Sequence, residues 1–486
     1  MSSSHEALAQ LTLVVGSYDV RGLVGAELTA PVVSALGAAF ADEVGAQLEG
    51  AQRPEIAIGQ DMRESSAEFA VAFADGALAR GASVVMLGLC STDETYFVSG
   101  RDNVPAVMVT ASHNPAEYNG LKFSRAGAVS VSADTGLNAV RDRAAGYLFD
   151  GIEPVDVPGT RRQADVLPDY ATRLRSLVDL AAIRPLRVVV DAGNGMAGLT
   201  VPAVLGDAAG LPAVPIEVIP LNFDLDGSFP GRAPNPMPAG SLLDLQQAVV
   251  AHGADLGLAF DGDADRCFVI DEAGGVVDPS SVAALVARRL ITRDRAADPT
   301  AEVVVLVNLV TSRRLSETIE AAGAVPVVTK VGHSLIKQDM RETGAVFGGE
   351  HSGHYYFRDF FGADNGLLAA LHVLAELGRA EVGGHPLALS ALAAEVAPYA
   401  MSGEINLEID DVPAAYASVV EAYSGDADFD EFDGLTVTGL TSATEPFWWF
   451  NVRPSQTEPV LRLNVEAATA TEMVRVRDAV LALLNA

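Results

Sequence analysis

Three stretches of this chain repeat one pattern: an apolar β-branched segment, a helical stretch, then a second β-branched segment. That repetition restricts the fold more than any other feature. The first stretch runs from Ile56-Ala57-Ile58 through a helical stretch over Ser66 to Arg80 into Ser83-Val84-Val85-Met86-Leu87. The second begins at Arg187-Val188-Val189-Val190, breaks at the turn-rich Asp191-Ala192-Gly193-Asn194-Gly195 and resumes at Ile216-Glu217-Val218-Ile219. In the third, a helix over Ser312 to Ala322 joins the strand of residues 303–309 to Val325-Pro326-Val327-Val328. Paired strands start roughly 22 to 29 residues apart, the separation a crossover between parallel strands requires. The pattern predicts three related α/β domains.

A chain of 486 residues has room for more than three such units. Residues 151–159, with Pro154 and Pro158, read as a linker, and the helical pattern of residues 364–377 ends at Gly378 before Gly383-Gly384 and Pro386. Short strands follow around residues 404–409, 435–437 and 461–465, with a closing helix from Thr471, which predicts a smaller α+β fourth domain. The expected limits are 1–153, 154–275, 276–384 and 385–486. The acidic run of residues 426–433 lacks the central Gly and closing Glu of a calcium loop and is read as a solvated loop.

Lys and Arg total 32 against 64 Asp and Glu, a formal net charge of −32. That field opposes nucleic acid and anionic membranes, so any anionic substrate has to meet a locally positive cleft. The two cysteines, Cys90 and Cys267, form no CxxC pair, which points to a reduced cytoplasm rather than a disulfide framework or structural zinc. Residues 1–6 lack a basic leader, and the longest aliphatic run, residues 303–310, is interrupted by Asn308 and too short to span a bilayer. No membrane partner is expected.

Four polar loops carry the chemistry. Thr110-Ala111-Ser112-His113-Asn114-Pro115 follows the apolar strand of residues 106–109, which puts Ser112 at a strand's carboxyl end, where α/β sheets present ligand-binding groups. Locally the segment reads equally as a Ser/Asn/Pro turn. Its His113 is no sign of a serine hydrolase, since G-x-S-x-G is absent. Asp261-Gly262-Asp263-Ala264-Asp265-Arg266 sets alternating carboxylates on a tight turn, a donor set suited to Mg²⁺, with Arg266 placed for phosphate or carboxylate contact. An EF-hand is excluded because Arg266 stands where the loop demands Gly and the flanks read as strands. Gly349-Glu350-His351-Ser352-Gly353-His354 sets Glu350 and Ser352 two apart, able to bond adjacent sugar hydroxyls; a zinc reading with His351 and His354 lacks a further nearby ligand. Arg453-Pro454-Ser455-Gln456-Thr457-Glu458-Pro459 suits a phosphate dianion, though taken alone it reads equally as a capped turn.

Taken together, in this order, the loops resemble the α-D-phosphohexomutase family, in particular its phosphomannomutase/phosphoglucomutase branch. Further matches are Tyr18-Asp19-Val20-Arg21-Gly22, Asp61-Met62-Arg63-Glu64-Ser65, Asn119-Gly120-Leu121-Lys122-Phe123, Leu225-Asp226-Gly227-Ser228-Phe229-Pro230 and Lys330-Val331-Gly332-His333. The resemblance implies three related α/β domains and a smaller α+β C-terminal domain around a central cleft, each giving one loop. It implies an enzyme that interconverts hexose 6-phosphate and hexose 1-phosphate through phosphorylated Ser112 and a 1,6-bisphosphate. Catalytic amounts of hexose 1,6-bisphosphate would act as activator. Asp261, Asp263, Asp265 and a phosphoseryl oxygen on Ser112 would hold Mg²⁺. Glu350 and Ser352 would bind sugar hydroxyls, with Lys330, Gly332 and Arg266 beside them. Arg453, Ser455, Gln456 and Thr457 would hold the non-reacting phosphate. Arg21 is expected on phosphate, with Lys122 and His333 in proton transfer and orientation. Mannose is the favoured sugar; glucose or dual specificity stays open, as does a catalytically silent sugar-phosphate-binding protein. Gln456 departs from the family's Asn, Gln60 from a basic residue and Arg232 from His.

Overall fold

The computed structural model describes residues 4–48, 53–238, 240–409, 411–440, 446–454 and 460–484. Each of the three repeated stretches builds a parallel core. Glu55–Gln60 pairs in parallel with Ser83–Leu89 and Ala106–Val109, Leu186–Asp191 with Ile216–Leu221 and Leu256–Phe260, and Val304–Asn308 with Val325–Thr329 and Phe347–Gly349. β-branched runs buried on both faces favour such pairing.

Every parallel core then ends in an antiparallel hairpin. Ala106–Val109 turns back into Tyr118–Arg125, Leu256–Phe260 into Cys267–Asp271, and Phe347–Gly349 into Tyr355–Phe357. The serine loop, the aspartate loop and the Glu350 loop are the turns of these three hairpins, so they occupy equivalent positions in the three units. The fourth sheet is antiparallel throughout, in the order Ala400–Leu407, Leu461–Ala467, Trp448–Pro454, Leu435–Gly439, Ala427–Asp430, and Arg453 lies at the end of its central strand.

Two segments join units other than those the linker reading gives them. Arg161–Gln163 adds in parallel to Ser83–Leu89 and so extends the first sheet. The helix Leu389–Glu395 buries Leu389 and Leu392 in the core cluster of the α/β units. The acidic run is corrected too: Ala427–Asp430 is an edge strand, antiparallel to Leu435–Gly439. Its exposed Asp428 and Asp430 keep a sheet edge in water, which is how charged residues come to sit in a strand.

The core runs on across units. The helix Gly366–Arg379 is buried along nearly its whole length, and apolar side chains of all three α/β units, Val85 and Phe97, Val190 and Leu258, Phe347 and Leu371, belong to one cluster. Among the described residues no helix is long and apolar enough to cross a membrane.

Candidate active site

Ser112 sits at the crown of its hairpin turn with φ +51°, a left-handed conformation unusual for serine. Two arginines define this loop. Arg63, whose own carboxylate partner is Asp61, donates to the carbonyls of Ser112 at 2.9 Å, Asn114 at 2.7 Å, Pro115 at 2.7 Å and Tyr118 at 3.0 Å. Arg21 donates to Ala111 O at 2.9 Å and to the Asn114 side chain, with Asp19 on its Nε at 2.8 Å. Four carbonyls gathered on one planar guanidinium fix the loop's path.

The aspartate loop meets it directly. Ser112 Oγ donates to Asp261 Oδ2 at 3.1 Å and lies 3.3 Å from His113 Nδ1, which also accepts from Arg266 Nη2 at 2.9 Å. Burial, then the charges of Arg266 and its basic neighbours, hold His113 well below the usual histidine range, so its ring is neutral. Asp261, Asp263 and Asp265 are buried and offer oxygens within 4.8 Å of one another. Burial and the repulsion of Asp265 and Asp263 push Asp261 well above the usual carboxylate range. Burial acts the same way on Asp265, but Lys122 and the bond from His354 outweigh it and hold Asp265 well below. Asp263 Oδ1 is buried without a hydrogen-bond partner, and Asp265 Oδ1 has His354 Nε2 at 3.5 Å. An orphaned carboxylate oxygen beside two further buried acids is a donor set that a hard divalent cation completes.

Lys122 reaches across to two of the three aspartates. Its Nζ lies 2.6 Å from Asp263 Oδ2 and 2.6 Å from Asp265 Oδ2. Burial alone would lower its pKa, yet the two carboxylates raise it, so beside them Lys122 is an ammonium. Its reach across 141 residues of sequence is invisible to any local motif.

The Glu350 loop closes on the aspartate loop through an isolated bridge between Arg266 and His354, where Arg266 Nε donates to His354 Nε2 at 3.2 Å. Ser352 Oγ lies 2.8 Å from His354 Nδ1. Glu350 accepts from Asn308 at 3.0 Å and from Tyr356 Oη at 2.6 Å, two partners the sequence reading did not name. Ser112, Arg21, Lys122, the three aspartates, Arg266, Glu350 and Ser352 are thus joined by contacts between the three α/β units. Arg232 donates to Asp191 at 2.6 Å and to Phe260 O at 2.6 Å, pinning the strand that leads into the aspartate loop.

The remaining residues lie on two segments. Lys330 is exposed, 5.4 Å above the Phe432 ring of the fourth domain. Gly332 has φ +146° and packs against Tyr18, whose Oη is 2.9 Å from where a Cβ would stand. Arg453 is buried and donates to Glu404 at 2.8 Å. The side chain of His333 and residues 455–459, including Ser455, Gln456 and Thr457, lie outside the described residues.

A hydroxyl seated between a carboxylate triad and several fixed cations is the equipment of a phosphoryl-transfer enzyme. Comparison with known proteins makes this specific. Models for the alpha/beta/alpha domains I, II and III of phosphoglucomutase/phosphomannomutase match residues 12–148, 168–274 and 278–398, and the C-terminal domain model matches 404–483. The chain belongs to the phosphoglucomutase/phosphomannomutase family, mutases that transfer phosphate intramolecularly. It is 38% identical over 464 residues to the phosphohexose mutase of Xanthomonas campestris, covering 95% of this chain and 96% of the relative. It is 35% identical over 466 residues, 95% and 93% of the two chains, to the phosphomannomutase/phosphoglucomutase of Pseudomonas aeruginosa. The crystal structure of a phosphoglucomutase/phosphomannomutase family protein from Burkholderia thailandensis superposes with a TM-score of 0.83 at 30% identity, over 98% of this chain and 97% of that one. The fold is shared at a TM-score of 0.59 and 15% identity, over 99% of both chains, by an N-acetylphosphoglucosamine mutase of Aspergillus fumigatus solved with GlcNAc-6P and magnesium.

Proposed function

We propose that this enzyme interconverts hexose 6-phosphate and hexose 1-phosphate, with mannose phosphates preferred, through phosphorylated Ser112 and a hexose 1,6-bisphosphate. The observation that carries the reading is Ser112 Oγ, crowned on a left-handed turn 3.1 Å from Asp261 Oδ2. In the first step the Ser112 Oγ–P bond breaks and a bond forms from phosphorus to the free sugar hydroxyl, whose proton ends on Ser112 Oγ. Lys122 and His333 would serve proton transfer and orientation. The bisphosphate then turns over and the second phosphate returns to Ser112 by the reverse exchange.

Mg²⁺ held by Asp261, Asp263, Asp265 and a phosphoseryl oxygen would neutralise charge on the transferring group. Arg21 would steady that group, Arg453 with Ser455, Gln456 and Thr457 the other phosphate, and Glu350 and Ser352 the sugar hydroxyls, with Lys330, Gly332, His333 and Arg266 lining the approach. Lys122 would be released from Asp263 and Asp265 as the cation takes their charge. Catalytic hexose 1,6-bisphosphate would restore phosphoserine lost to water. The setting is the cytoplasm, and the partner is a small sugar phosphate rather than nucleic acid or membrane.

A coupled assay comparing mannose 1-phosphate, glucose 1-phosphate and glucosamine 1-phosphate tests the substrate. A higher kcat/KM for glucose 1-phosphate would overturn the mannose preference and leave the mutase standing. Ser112→Ala should lose a phosphoryl adduct from the intact mass and cut turnover by several orders of magnitude while the protein stays folded. Turnover near that of the parent would sink the phosphoserine route.

A further inference from the structure

The strand Ser83–Leu89 of the serine-bearing domain leads through Ser91 into the helix Thr92–Asp102, whose start is fixed by a capping box between Ser91 and Glu94. This buried helix start touches the aspartate loop of the second domain at two points. Thr92 N donates to Asp263 O at 3.1 Å, and Thr92 Oγ1 donates to Asp263 Oδ2 at 2.5 Å. The hydroxyl proton has no freedom to serve elsewhere, because both residues are 0% exposed. Lys122 takes the same Oδ2 at 2.6 Å. Asp263 therefore has one oxygen fully engaged, while Oδ1 is buried with no hydrogen bond.

That asymmetry has a chemical consequence. A carboxylate free to rotate about its last torsion offers either oxygen to a cation, whereas one pinned through Oδ2 offers Oδ1 alone, in a fixed direction. Outer partners that orient metal ligands typically change metal affinity by about 10- to 100-fold when removed.

We propose that Thr92 is a positioning residue for the metal centre: its hydroxyl holds Asp263 so that Oδ1 faces the cation. The inference rests on the reading of the aspartate triad as the Mg²⁺ site. Because Lys122 shares Oδ2 and is to be released when the cation arrives, the Thr92 bond is the one that persists in the metal-bound enzyme. Thr92 lies 171 residues from Asp263 in sequence, so the contact also ties the nucleophile's domain to the metal's domain.

The test uses Thr92→Val, which keeps the β-branched shape and the backbone N–H but removes the donor, and Thr92→Ser, which keeps the donor. Mg²⁺ binding to the full-length protein is measured by calorimetry, and melting temperature is read with and without Mg²⁺. Thr92→Val should weaken Mg²⁺ binding by about tenfold or more and shrink the Mg²⁺-induced rise in melting temperature, while Thr92→Ser stays within about threefold of the parent. At saturating Mg²⁺ the KM for sugar phosphate should be unchanged in both. Thr92→Ala replaces the valine variant if that protein does not fold. Parental Mg²⁺ affinity in the variant lacking the donor overturns the inference. Failure of the parent itself to bind Mg²⁺ would instead overturn the metal reading beneath it.

Discussion

At Ser112 the backbone adopts a conformation its side chain disfavours, and Arg63 holds it there. The guanidinium is almost wholly buried, and of its four carbonyl acceptors three lie on the serine loop and the fourth, Tyr118, opens the strand that follows. The motif around Asp61 and Arg63 is visible in the sequence, but its target is not, because acceptors 49 to 55 residues away carry no local mark. A second buried pair, Asp93 and Glu94, makes stability depend on pH. Burial raises Asp93 to about 7 and Glu94 to about 8, although bonds from Ser91 and Tyr170 to Asp93, and from the Ser91 backbone to Glu94, act in the opposite direction. Folded-state pKa values above those of the open chain mean that the folded form binds more protons between about pH 4 and 8. These two groups therefore stabilise most on the acid side; their contribution falls from about pH 4 upward, at about 1.4 kcal/mol per pH unit for each group, and is gone once pH has risen through 7 to 8. Unfolding midpoints measured from pH 5 to 9 should fall as pH rises, and Asp93→Asn, which keeps an acceptor for Tyr170, should flatten part of that slope. Coincident pH profiles for the variant and the parent would refute the assignment.

One rank above single residues, the loop at a strand's end is the unit that the sequence made readable. Each functional loop lies between two apolar runs, so its place at a strand's end follows from pattern alone. Less was legible where pattern and packing disagree. Arg453-Pro454 reads in the sequence as the start of a phosphate-binding loop or a capped turn, yet Trp448–Pro454 is the central strand of the fourth sheet and buries Trp448 to Arg453. The helix Val412–Tyr423 was not foreseen; Asp411 caps it and a proline stands in its first turn, a start signal that lay open in the sequence. Helix contacts were hidden as well. In the first domain Ala30–Gly45 and Ser66–Ala79 approach backbone to backbone: a Cβ on Gly37 would stand 2.2 Å from Phe73 O, and one on Gly76 would stand 1.9 Å from Ser34 O. Intrinsic propensity favours alanine over glycine inside a helix by about 1 kcal/mol. Here a carbonyl fixed in the neighbouring helix cannot swing aside, so Gly76→Ala should destabilise by about 1 to 3 kcal/mol or more, read as a lower urea midpoint. A midpoint equal to or above the parent's would show that the helices separate without cost.

For the whole molecule the question is how the fourth domain is held, since its core cluster is separate from those of the other three. A net charge of −32 gives no general attraction between domains, so specific contacts have to supply it. Two sets are present. Near the cleft, Val331 N donates to Asp433 at 2.8 Å and Lys330 lies over Phe432. At a second attachment, Glu466 of the fourth domain is 0% exposed and accepts from Ser312 Oγ, from Arg313 N at 3.0 Å and from Trp449 Nε1 at 2.6 Å. Ser312 and Arg313 open the helix Arg313–Ala321 of the third domain, so this carboxylate caps a neighbour's helix while anchoring its own tryptophan. Arg313 over Phe447 at 5.0 Å and Arg314 over Tyr399 at 4.5 Å flank it. Glu466→Ala leaves two buried donors, Ser312 Oγ and Trp449 Nε1, without this acceptor, each worth about 1 to 3 kcal/mol when orphaned, and also removes the acceptor of the part-buried Arg313 N. The loss falls on the attachment rather than on either core, so scanning calorimetry should show the fourth domain melting in a separate, lower transition. Glu466→Gln, which keeps one acceptor oxygen, should give an intermediate trace. On the proposed role of Arg453, which rides on the same domain, KM for sugar phosphate should rise in Glu466→Ala while Mg²⁺ affinity, which that reading assigns to the first and second domains, stays as in the parent. A single transition at the parental temperature, with KM unmoved, would mean that the contacts of Asp433 and Phe432 hold the domain unaided.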